Sequence, residues 1–562
     1  MGRAFLTLAG PPSLWHIRGA APAWDPGLQG NGRMSESATG DSGHPARDAR
    51  VQSGIPRLDF ILQGGLKQGG TYALMGPPGS GKTILANQLC FNHIQRSGGR
   101  CVYMTLLIES HGKMVGHLEG LSFFRLEDIP EKLYYISGYQ KVRDEGFSGL
   151  LALIRTTLRE RRATVFVIDG MESAEQFSAT RQAYGEFIHS LQALASLLGC
   201  TTLLISNMRE RTHVEHTLVD GVLELSDQLI GPRAVRELTV HKFRGGNYLR
   251  GRHEVEISSE GVSVHPRTEV QFAHPGEASH EPRSRMAFGL PRLDEMLSGG
   301  LPSGSTTMLL GAPGTGKTLL GLSFLLEGAR QGQRGTYFGF YEPPPRLIEK
   351  AEDVGLPLER YVRDGTIRLV WQPPLEHFMD SLAEQLLERI RADSPQERRR
   401  LFVDGVEGFR AAAVYPDRMP RFLSALTNQL RALDVTTVMT DELELFQPQL
   451  NLPTPELANV VETVLLLRYV EMRSQIYRLL SIMKMRESHY DTSLREFRIS
   501  RDGIDVANSF RTAEAILSGT GRLREEGRSR PRATAKKKPA KKKTASRRSG
   551  GKRGGRGDGG GR

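Results

Sequence analysis

The chain has 562 residues, 38% of them hydrophobic and 25% charged, which is too long for a single core and ordinary for a globular protein. It has no run of about 18 apolar residues that would cross a bilayer, and its three cysteines (Cys90, Cys101, Cys200) lack metal-ligand spacing and fit a reducing, cytoplasmic setting. The net charge of +12 is confined to one end: residues 521–562 hold 17 Lys/Arg and 3 Asp/Glu, leaving 58 basic against 60 acidic residues in 1–520.

Residues 1–50 are rich in Gly, Pro, Ser and Asp without periodicity, and are expected to be disordered. The opening apolar stretch is too short for a signal peptide, and Met34 is an alternative start. A first module is expected over 51–264, where apolar runs at 72–75, 101–106, 165–168 and 202–205 alternate with helical stretches. A Pro/His/Glu-rich connector at 265–285 leads to a second module at 286–508, with matching runs at 307–310, 336–340, 401–403 and 437–439. This alternation predicts an α/β fold, a mostly parallel sheet flanked by helices in each half, with ligand held at the carboxyl edge of the strands. Helical character at 512–517 predicts a short docking helix within 509–562, and a disordered Lys/Arg-rich tail follows. That tail reads either as a solubilising polycation or as a partner for nucleic acid or another polyanion through counterion release.

The decisive feature is a repeat. Residues 54–85 and 289–320 align without a gap at an offset of 235, with 19 of 32 positions identical, and both end in G-x-x-x-x-G-K-T. In each copy glycines let the backbone wrap closely enough for N–H groups to face phosphate oxygens. The first loop is Gly76-Pro77-Pro78-Gly79-Ser80-Gly81-Lys82-Thr83 and the second Gly311-Ala312-Pro313-Gly314-Thr315-Gly316-Lys317-Thr318. The lysines are expected to reach the β and γ phosphates of ATP, the threonine hydroxyls to serve Mg²⁺, and the helix that follows to favour anions at its start. Asp169 and Asp404, also 235 apart, end apolar strands and are placed to hold the metal through water.

Hydrolysis needs a group to position or deprotonate water. Glu342 follows the second module's second strand; Glu109 is its counterpart, two residues beyond Leu107, which an ungapped alignment would select. Two late strands carry Lys242 with Arg244, and Lys484 with Arg486; alternate residues share one face of a strand, so each pair can meet one phosphate.

These residues, with the Gly-x-Pro-Arg-Leu-Asp lead-in and the segment Leu465-Leu466-Leu467-Arg468-Tyr469-Val470-Glu471-Met472, resemble the KaiC and KaiC-like group of RecA-superfamily ATPases. The resemblance implies two tandem RecA-like P-loop domains, ATP bound between subunits of a homo-hexameric double ring, regulatory protein partners, and Lys242, Arg244, Lys484 and Arg486 acting on a neighbouring subunit's phosphates. It implies a signalling switch driven by ATP hydrolysis. A clock-type serine/threonine autokinase and a DNA-associated RecA/RadA-like ATPase are the alternatives. The chain departs from KaiC where the autophosphorylated Ser-Thr pair should stand, since Ala458-Asn459 has no acceptor hydroxyl; Thr463 nearby reads as a strand residue. Each half also shows one catalytic glutamate in place of KaiC's pair.

Overall fold

The computed structural model describes residues 49–107, 111–178, 180–207, 217–273, 284–392, 399–443, 460–472, 474–486, 489–507, 513–515 and 521–523. The first module contains β1 (Thr71–Met75), β2 (Cys101–Thr105), β3 (Leu133–Ser137), β4 (Val165–Asp169), β5 (Thr201–Ser206), β6 (Gly221–Ile230), β7 (Arg233–Phe243), β8 (Arg252–Ser258) and β9 (Gly261–His265). These nine strands lie in the order β3-β2-β4-β5-β1-β6-β7-β8-β9. The pairs from β3 to β6 are parallel, and β6 to β9 form an antiparallel meander.

The second module repeats this order strand for strand. Its β10 (Thr306–Gly311), β11 (Arg334–Gly339), β12 (Ile367–Trp371), β13 (Arg399–Asp404), β14 (Val435–Glu442), β15 (Thr463–Met472), β16 (Gln475–Met485), β17 (Arg495–Ser500) and β18 (Gly503–Val506) run β12-β11-β13-β14-β10-β15-β16-β17-β18. Two tandem RecA-like domains are thus present. Strands β1, β2, β4 and β5 are buried along their whole length, because helices cover both faces; that is why they read as unbroken apolar runs. Each sheet separates two apolar clusters, such as Leu74, Leu85 and Ile205 on one face of the first sheet and Met104, Ile154 and Phe187 on the other.

The repeated lead-in has a structural job. Asp59 accepts backbone N–H bonds from Ser53 (2.8 Å) and Gly54 (3.1 Å), and Asp294 from Phe288 (2.7 Å) and Leu290 (3.1 Å). At Gly65 (φ 102°) a Cβ would lie 2.5 Å from the Val51 carbonyl oxygen, and at Gly300 (φ 121°) 2.5 Å from that of Met286. Only glycine fits there.

The connector does more than span a gap. Its helix Thr268–Gln271 docks on the second module: Arg418 holds Glu269 with two parallel bonds (2.8 and 2.9 Å) and Asp380 at 2.8 Å. Asp380 accepts from both the N–H and hydroxyl of Thr268 at 2.9 Å, and its own N–H donates to Glu254 on β8 at 3.2 Å. Burial pushes the carboxyls of Glu254 and Asp380 above their ordinary range. Arg57 adds ion pairs to Glu384 and Glu388, and Arg233 donates to the carbonyls of His377 (2.9 Å) and Ala412 (3.3 Å).

Two expectations change. The residues described near 512–517 are not helical: Ala513–Ala515 pairs antiparallel with Gly521–Leu523, so interstrand hydrogen bonds replace a helical turn. Strands β3 and β12 were not foreseen, because as edge strands they are only partly buried and show no continuous apolar run. The 1–48 segment and the tail beyond 523 lie outside the described residues.

Candidate nucleotide-binding sites

Each loop joins the carboxyl end of a central strand to a long helix, Lys82–Ser97 or Lys317–Arg330. Gly79, Gly81, Gly314 and Gly316 have φ of 82°, 98°, 77° and 102°, the left-handed region where glycine is at ease. A Cβ at Gly76 would fall 2.0 Å from the Leu225 carbonyl oxygen, and at Gly311 2.6 Å from that of Leu467. The loop thus lies close against β6 or β15. Lys82 donates to the carbonyls of Gly76 (2.9 Å) and Pro77 (2.8 Å), and Lys317 to those of Gly311 (2.7 Å) and Ala312 (3.1 Å). Both ammonium groups are therefore folded over the loop; burial lowers the proton affinity of Lys82. Pro78 and Pro313 occupy the same turn, Ser80 is buried, and the Thr315 hydroxyl donates to the Ala312 carbonyl at 2.8 Å.

The strand-end aspartates meet the loop threonines. Thr83 donates to Asp169 at 3.3 Å and Thr318 to Asp404 at 2.9 Å. Tyr103 donates to Asp169 at 2.7 Å and Tyr337 to Asp404 at 3.2 Å, and Thr440 adds a 3.0 Å bond to Asp404 alone. Burial raises the proton affinity of both carboxyls, partly offset by those hydrogen bonds. A hydroxyl beside a buried carboxyl is a hard, all-oxygen donor set that suits Mg²⁺. No cluster of three or more His, Cys, Asp or Glu capable of holding a metal occurs among the described residues, so phosphate oxygens and water would complete the shell.

Glu342 ion-pairs with Lys350 at 3.0 Å, close enough for Glu342 to act on Tyr337 and Lys350 on Asp404 electrostatically. Glu109 lies outside the described residues. Strand pairing sharpens its alignment: Thr105 pairs with Asp169 and Gly339 with Asp404, so the equivalent of Glu342 is Ile108, and Glu109 stands one residue beyond rather than two.

The late cations lie two strands away from each loop's own strand, toward its amino end. Lys242 is level with Val222 and, one strand further, with Ala73, on the amino side of Gly76. It donates to the Thr217 carbonyl at 3.0 Å, and Arg244 to those of Leu218 (3.3 Å) and Thr217 (3.2 Å). In the second module Lys484 pairs with Val464, level with Met308, and donates to the Val461 carbonyl at 2.8 Å, while the Arg486 N–H donates to the Glu462 carbonyl at 3.0 Å. Lysine and arginine stand together in both pairs; after burial, each arginine is the largest influence lowering its lysine's proton affinity.

A family model described as "ATPase: KaiC" matches residues 51–269 and 286–510. The chain belongs to the KaiC ATPase family. It is 26% identical over 503 residues to the circadian clock oscillator protein KaiC of Picosynechococcus sp., covering 87% of this chain and 95% of that protein. KaiC 1 of Synechocystis sp. is 27% identical over 487 residues (84% and 91%), and KaiC of Synechococcus elongatus 26% over 486 (84% and 92%). Against this KaiC background, Ala458 and Asn459 lie outside the described residues, and Thr463 is wholly buried in β15. No described helix is long and apolar enough to cross a membrane.

Sequence reading missed Tyr103, Tyr337 and Thr440, which sit on strands beside the aspartates. It also missed Glu172 and Glu407, three residues beyond them, although Asp-Gly-x-Glu recurs in both halves at the repeat offset.

Proposed function

We propose that the protein binds and hydrolyses Mg-ATP at the subunit interfaces of a homo-hexameric double ring and serves as a conformational switch in signalling. The observation that carries this reading is the separation of loop and cations. Each protomer holds its phosphate cradle at the carboxyl edge of a sheet and its Lys-x-Arg pair toward the amino edge, about three residues or 10 Å along the strand and two strands across. Such a pair serves the next protomer's phosphates better than its own, and a head-to-tail contact of that kind closes into a ring.

Water attacks the γ phosphorus in line, the bond to the bridging oxygen of ADP breaks, and in the second module Glu342 takes the water's proton. Lys82 or Lys317 follows the charge on the β and γ phosphates, and the neighbour's Lys and Arg stabilise it as it spreads. Mg²⁺, held by Thr83 or Thr318 and through water by Asp169 or Asp404, supplies further neutralisation when bound. The tail is proposed, on charge alone, to hold a polyanion.

Light scattering with and without Mg-ATP tests the assembly, and phosphate release tests the chemistry. A nucleotide-dependent hexamer that releases phosphate is expected. A monomer under every nucleotide condition overturns the reading.

A further inference from the structure

Glu172 and Glu407 have no part in the chemistry above, yet each clamps the end of the strand beside the loop. Glu172 accepts from the Asn207 side-chain amide at 2.7 Å and its backbone N–H at 3.4 Å; Glu407 accepts from the backbone N–H of Glu442. That strand runs parallel to the one feeding the loop, with Met75 level with Ser206 and Gly311 level with Glu442. Residue 207 or 442 therefore stands at the mouth of its loop. The clamp is common to both sites, but the clamped side chain is a neutral amide in the first and a carboxylate in the second.

The carboxylate has already found the loop's cation: Glu442 lies 3.5 Å from the Lys317 ammonium. Two further carboxyls crowd it. Asp441 is buried behind Glu442 and faces Glu407, with Arg410 at 3.6 Å from Asp441 and Tyr341 beside Glu407 and Glu442. Three acids thus share one guanidinium and one ammonium at this edge.

We propose that Glu442, held in place by Glu407, biases the second site toward nucleoside diphosphate, whereas Asn207, held by Glu172, leaves the first site favouring the triphosphate. A γ-phosphate brings added negative charge to a lysine that Glu442 already neutralises, and it meets a like charge at short range. The Asn207 amide instead offers a donor to a phosphate oxygen. A diphosphate needs only the β-phosphate contact, so Glu442 penalises it less. The inference deepens the proposed function and rests on both loops binding adenine nucleotide.

The test uses the full chain equilibrated with equal ADP and ATPγS, with bound nucleotides counted per chain and separated by chromatography. Two nucleotides per chain are expected, one site enriched in each form. Glu442→Gln should raise the second site's preference for the triphosphate analogue about tenfold, the effect of one charge removed at ion-pair distance in a partly exposed site. Asn207→Asp should shift the first site the opposite way by a similar factor. Unchanged ratios in both exposed-residue variants overturn this inference while leaving ATP binding intact. A single nucleotide per chain, unaffected by Lys317→Ala, overturns the reading that the second loop binds nucleotide, and this inference with it.

Discussion

The first and second modules share a sheet order, a glycine cradle and a strand-end aspartate, yet the charges around the two cradles differ. Asp169 is held by Thr83 and Tyr103, and Asp404 by Thr318, Tyr337 and Thr440. Asn207 faces one loop, and the Glu407-Asp441-Glu442 group faces the other. The two copies keep the backbone geometry of the glycine loop, where a Cβ at Gly76 or Gly311 is not tolerated, and differ in the surrounding polar side chains. Geometry sets what class of ligand fits; the side chains set how each copy treats it.

The strongest way to break the comparison is to part the modules. Arg418→Ala strands the buried carboxyls of Asp380 and Glu254, the latter 3.8 Å from the guanidinium, together with the half-buried Glu269, and should cost roughly 3–5 kcal/mol; chemical denaturation should then show two transitions where the parent shows one. Next comes loss of one lysine at a time. Lys317→Ala should abolish nucleotide binding in the second tier with assembly preserved, and Lys82→Ala should weaken the hexamer, read by light scattering with Mg-ATP. Unchanged sizing of Lys82→Ala would refute this assignment of assembly to the first tier.

A smaller effect is expected at the aspartates. Tyr103→Phe and Tyr337→Phe should each weaken Mg²⁺ dependence by up to about tenfold. The first should suffer more, because Asp404 keeps Thr440 when Tyr337 is lost. The smallest effect is a pH slope. Burial beside Asp441 pushes the Glu407 carboxyl up to about 7 from 4.5. A folded value above the unfolded one means that its contribution is full below about pH 4.5 and is lost as pH climbs through about 7. Glu407→Gln should flatten that part of a plot of unfolding midpoint against pH; an unaltered slope assigns the proton elsewhere.

The glycine loops and strand-end aspartates were legible in the sequence because each depends on a short segment with fixed spacing, and the 235-residue offset ties the copies together. Tyr103 and Tyr337 were not, because their bonds to Asp169 and Asp404 arise from strands that become neighbours only in the folded sheet. The connector looked like a spacer for a related reason. Its polar residues, Thr268 and Glu269, find their partners more than a hundred positions away, in Asp380 and Arg418. The meander strands β6 and β8 interleave charge with apolar residues, which hides them from any search for continuous apolar runs.

The placement of Lys242, Arg244, Lys484 and Arg486 toward the amino edge also fixes a counting rule. Under the proposed head-to-tail contact, a complete catalytic centre belongs to a junction and not to a polypeptide. A closed circle then owns one centre per member in each layer, whereas a linear string of the same subunits is always one short. Specific activity should therefore rise in a step when the last gap seals, and a mixture of two differently crippled subunits should regain part of what each lacks alone.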